Sequence, residues 1–68
     1  MNNKFKVTPS YISHKIQMLE NAIAGLRHDL SKLTHQMQID AHAEQIRLYE
    51  KKLTENKARL AAMEAAAA

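Results

Sequence analysis

Sixty-eight residues make one small domain and no more. With one glycine, one proline and neither cysteine nor tryptophan, the chain excludes a disulfide scaffold, a thiolate metal site and a thiol nucleophile. Ten basic residues against seven acidic give a net charge of +3, an excess that permits contact with nucleic acid or an acidic partner and requires neither.

The first residues, "MNNKFKVTPS", carry Lys4 and Lys6 but no apolar stretch of the kind that follows the charges of a secretory signal. No apolar run approaches the ~18 residues that a membrane span requires. The expectation is a soluble, cytoplasmic protein that does not enter a membrane. The alternation Lys4, Phe5, Lys6, Val7, Thr8 reads as an extended basic arm over residues 1–8, because a lone strand has no partner in the rest of the chain.

Residues 9–68 read as a helical hairpin. "VTPSYI" carries three helix-start cues at once. Thr8 suits the N-cap, Pro9 suits the first helical position, and Val7 stands where it can pack on Ile12 as a hydrophobic staple. From there Ile12, Ile16, Leu19, Ile23, Leu26, Leu30, Leu33 and Met37 follow alternating steps of four and three, a heptad seam that predicts a helix over about 9–37. A second seam runs through Ile39, His42, Ile46, Tyr49, Leu53, Asn56, Leu60 and Met63 and predicts a helix over about 41–66. Glu55 and Arg59 stand four apart as a supporting pair, and the alanine-rich end has little to bury and frays.

The two seams cannot share one face. Continuing the first register would place Asp40, Glu44, Arg47, Lys51 and Thr54 in the core. The second seam is displaced by two residues, about 200° of helix rotation, whereas coiled-coil stutters and stammers shift it by four or three. A turn near Thr34–Asp40, with Asp40 capping the second helix, resolves the conflict and gives two helices of nearly equal length. The competing reading is one unbroken helix whose opposite faces serve different partners. It leaves two apolar stripes exposed on an isolated rod.

One hairpin of this size buries too little to stand comfortably alone, which points to oligomerisation. Tyr11, Met18, Ala22 and Gly25 form a second apolar strip beside the first seam and widen it beyond a strict zipper, as a bundle helix requires. Gly25 either permits close helix approach or is a tolerated defect costing ~1 kcal/mol. The predicted architecture is all-α: an antiparallel hairpin pairing as a dimeric four-helix bundle or coiled coil. Its core seam is Ile12, Ile16, Leu19, Ile23, Leu26, Leu30, Leu33, Met37, Ile46, Tyr49, Leu53, Asn56, Leu60 and Met63. Asn56 is the polar member that fixes register if it is buried, and an ordinary solvated amide if the bundle opens there.

Nothing in the residue pattern builds an active site, so no catalytic, cofactor-binding or metal-binding residue is assigned. His14, His28 and His35 fall on the outermost position of the first helix, and neighbours one heptad apart sit ~10.5 Å from each other, too far for one zinc ion with ligands at ~2.0–2.1 Å. His42 lies on the second seam. Ser31 stands near His28 and His35 without a pocket or oxyanion donors. Charge is more informative. A hairpin gathers Lys4, Lys6, Lys15, Lys57 and Arg59 at its open end and Asp29, Asp40, Glu44 and Glu50 near its turn. The expected function is a non-enzymatic, homo-oligomeric protein–protein interaction module that modulates or scaffolds a partner protein. The alternative is a dimeric hairpin that binds nucleic acid through its basic end. A parallel zipper through the first seam alone leaves the second unexplained, and the mixed charge on the first helix argues against a membrane-surface helix.

Overall fold

The computed structural model describes residues 7–67. Among them there are two helices and no strand, α1 over Pro9–Leu30 and α2 over Gln36–Ala67, packed against each other as a hairpin. Among the described residues no helix is long and apolar enough to cross a membrane. The expected arm falls mostly outside the described residues, and Lys4 and Lys6 lie there.

The start of α1 is a local event. Thr8 is extended, at φ −118° and ψ 160°, and its Oγ1 accepts from the Tyr11 amide at 3.1 Å. Pro9 follows at the first helical position, where its missing amide leaves no bond unmade. Ile12, one turn in, is completely buried.

The end of α1 comes seven residues earlier than the heptad pattern implies. The helix stops at Leu30 and not at Met37. Ser31 remains right-handed, at φ −63° and ψ −18°, and its hydroxyl donates to the His28 carbonyl at 2.6 Å. The next amides tighten into three-residue turns, Lys32 donating to Asp29 at 3.0 Å and Leu33 to Leu30 at 3.1 Å. These bonds satisfy the last carbonyls with no positive φ among the described residues, so the turn needs no glycine. The link is residues 31–35. α2 begins with the His35 carbonyl accepting from Gln38 and Ile39.

Three expectations change as a result. Asp40 does not cap α2; it lies inside the helix and accepts from Gln36 Nε2 at 2.9 Å. Met37 does not close the first seam; it sits in the first turn of α2 and is 76% exposed. The helices are unequal, 22 residues against 32, or about 33 and 48 Å at 1.5 Å per residue.

Two helices packed side by side make a single layer. A single layer of helices covers a seam only from the facing helix. Ile12, Ile23 and Ile46 are accordingly the only buried hydrophobic side chains among the described residues. Ile16, Leu19, Leu26, Leu30 and Leu33 remain half-buried, as do Tyr49, Leu53, Asn56, Leu60 and Met63 on α2.

Candidate functional site

Two helices side by side leave two faces, and here the faces differ in kind. On one, Arg27 pairs with Glu50 and Lys57 with Glu20, the latter at 3.5 Å. Moving seven residues back along α1, from Arg27 to Glu20, matches moving seven forward along α2, from Glu50 to Lys57. One heptad on each helix repeats the same bridge, which also shows that the helices run antiparallel. Glu44 and Arg47 add a bridge within α2, with contacts of 2.5 and 3.2 Å. That hydrogen bond and the charge of Arg47 hold the Glu44 carboxyl below its ordinary pKa, and Glu44 raises that of Arg47. The expected Glu55–Arg59 bridge is not among the ion pairs of the described residues; both side chains border a groove instead.

The other face is open. A groove of about 360 Å³ runs between the helices, lined by Tyr11, His14, Lys15, Met18, Leu19 and Ala22 from α1 and by Tyr49 and Lys52 from α2. Tyr11 and Met18 are 52% and 58% exposed. The apolar strip expected beside the first seam is thus one wall of this groove, with Tyr49 as its counterpart on α2. Gly25, farther along, has open space where a Cβ would stand, so within the hairpin it serves no close approach.

A second, more polar groove is bordered by Lys15, Lys52, Glu55, Asn56 and Arg59. Lys15 and Lys52 border both. Lys15 Nζ stands 5.8 Å from the centroid of the Tyr11 ring, a cation–π contact that holds the ammonium over the groove. Of the basic residues expected at the open end, Lys15 and Arg59 border this groove together with Lys52, Lys57 pairs with Glu20, and Lys4 and Lys6 lie outside the described residues. The sequence does not single out Lys52 from its neighbour Lys51; packing against α1 brings Lys52 to the groove.

Asn56 is half-buried and donates from Nδ2 to the Lys52 carbonyl of its own helix at 2.8 Å. Its amide makes no cross-helix hydrogen bond. His42 Nδ1 lies 3.1 Å from the Gln38 carbonyl, which can only accept, so Nδ1 carries the proton. His14, His28 and His35 are exposed, and no group of three or more metal-ligating side chains comes together among the described residues. No family model, curated protein or solved structure matches the chain.

Proposed function

We propose that this chain is a non-enzymatic interaction module of the cytoplasm: a helical hairpin that pairs with a second copy as a four-helix bundle and, in that form, scaffolds or modulates a partner protein. The observation that carries this reading is the asymmetry of the faces. One is closed by Arg27–Glu50 and Glu20–Lys57, while the other exposes Tyr11, Met18 and an apolar groove. Face-to-face pairing also converts the half-buried seams into a covered core, as in other bundles.

Sedimentation equilibrium tests the reading. The expected result is a reversible dimer, twice the 7.7 kDa chain mass, that dissociates on dilution. A monomer at every concentration removes the dimeric module.

One observation favours nucleic acid as the partner instead: Lys15, Lys52 and Arg59 border a single groove. In that case replacing Lys52 and Arg59 with Gln lowers the slope of log affinity against log salt by about two. An unchanged slope, or no measurable binding to single- or double-stranded probes, removes it.

A further inference from the structure

Within α1, Lys15, Met18, Ala22, Leu26 and Asp29 are spaced 3, 4, 4 and 3. The pattern reads the same from either end, with Ala22 at its centre. At about 100° per residue these five positions fall within roughly 80° of helix surface, beside the buried seam and on the side of the open groove. Lys15, Met18 and Ala22 line that groove. Lys15 and Asp29 form none of the ion pairs among the described residues, although Arg27 and Glu20, on the other side of the same helix, both do.

A palindrome of this kind is what an isologous contact needs. When a helix meets its own copy antiparallel about a two-fold axis, each residue faces the one equally far on the other side of the axis. We infer that the open groove is filled by a second copy of this chain, α1 crossing the partner's α1 antiparallel at Ala22, with Lys15 paired to the partner's Asp29 at both ends of the contact. This rests on the dimeric reading above and adds the face, the orientation and the register.

The chemistry fits from the centre outward. Ala22 is small and lets the two backbones approach at the crossing. Met18 lies four residues from it and meets the partner's Leu26, four residues the other way, so the exposed methionine covers a leucine that the hairpin leaves half-buried. Lys15 and the partner's Asp29 stand seven residues out, about 10 Å along the axis. At the small crossing angle of bundle packing, near 20°, a lysine spans the remaining gap. A parallel arrangement would set Lys15 against the partner's Lys15 and Asp29 against the partner's Asp29, like charges facing like.

Charge reversal tests the register. Lys15→Asp, Asp29→Lys and the double variant are compared with the wild type by sedimentation equilibrium at low salt, with helicity checked by circular dichroism. Lys51→Asp, which changes an exposed residue of α2 away from the strip, is the control. Because every pair occurs twice in a two-fold contact, each single reversal weakens the dimer about tenfold, while the double variant recovers to within a few-fold of wild type and the control leaves it unchanged. Recovery in the double variant alone is the supporting result. A double variant as weak as the singles, or single variants that dimerise like wild type, overturns the register and leaves the dimer standing. A wild type that never dimerises overturns both.

Discussion

Ile23 and Met37 occupy the same heptad position, two repeats apart, and a helix continuing to residue 37 would make them equivalent. The structure makes them opposites. Ile23 is 7% exposed between α1 and α2, whereas Met37 is 76% exposed in the first turn of α2. Truncating a buried isoleucine to alanine removes its transfer energy and leaves a cavity, together about 2–5 kcal/mol. Full burial of a methionine is worth about 1.5–3 kcal/mol. Only about a quarter of the Met37 surface is covered, which leaves about 0.5 kcal/mol, and the better helix propensity of alanine offsets part of it. Urea denaturation followed by far-ultraviolet circular dichroism therefore separates the pair: Ile23→Ala loses about 2 kcal/mol or more, and Met37→Ala stays within about 0.5 kcal/mol of wild type. Two variants equally destabilised would refute the placement of the turn at residues 31–35.

Three further outcomes follow from the same geometry. Gly25→Ala meets no atom, so at concentrations low enough to keep the chain monomeric it raises stability by about 0.5–1 kcal/mol, and a lower denaturation midpoint would show that the space is not free. Among the described residues Asn56 bonds only to its own helix, so Asn56→Leu raises the melting temperature by a few degrees; a clear drop would reveal a network that involves its carbonyl oxygen. For Glu44, whose pKa is lowered by Arg47, the pair stabilises the fold above the ordinary glutamate pKa and loses that contribution as pH falls through the lowered value. Arg47→Ala returns the Glu44 titration, read by carboxyl carbon NMR, to the ordinary range, and an unmoved titration would contradict the bridge.

How far the fold was legible depends on how local its causes are. The start of α1 was legible to the residue, because Thr8 acts through hydrogen bonds three and four residues away and Pro9 brings a φ already suited to the first helical position. The two seams were legible because a heptad repeat is a statement about one helix face. The turn was not. A phase break says that the two seams cannot share one face, which a hairpin and an unbroken helix with two partners both satisfy, and Leu33 and Met37 keep the first spacing by coincidence of residue type, which carries the pattern past the end of the helix at Leu30. The signals that could have placed it are Ser31 and Thr34, whose side chains compete with the backbone and weaken a helix where it ends. The Tyr11–Met18–Ala22 wall of the groove was visible as a strip of sequence. Its partners Tyr49 and Lys52, and the capture of Lys57 by Glu20, depend on how α2 is rotated about its own axis, which only packing decides.

The association of two hairpins through the open face is tested most directly by a distance between copies. Asn21 is exposed near the middle of α1, next to Ala22 and off the proposed contact strip. A single spin label there puts the two labels of a dimer about 3 Å apart along the axis, and with helices 8–10 Å apart and each label on the outer side of its own helix, the expected distance is between about 20 and 30 Å. A dipolar distance beyond about 45 Å, or no dipolar signal at concentrations where sedimentation shows a dimer, would contradict it.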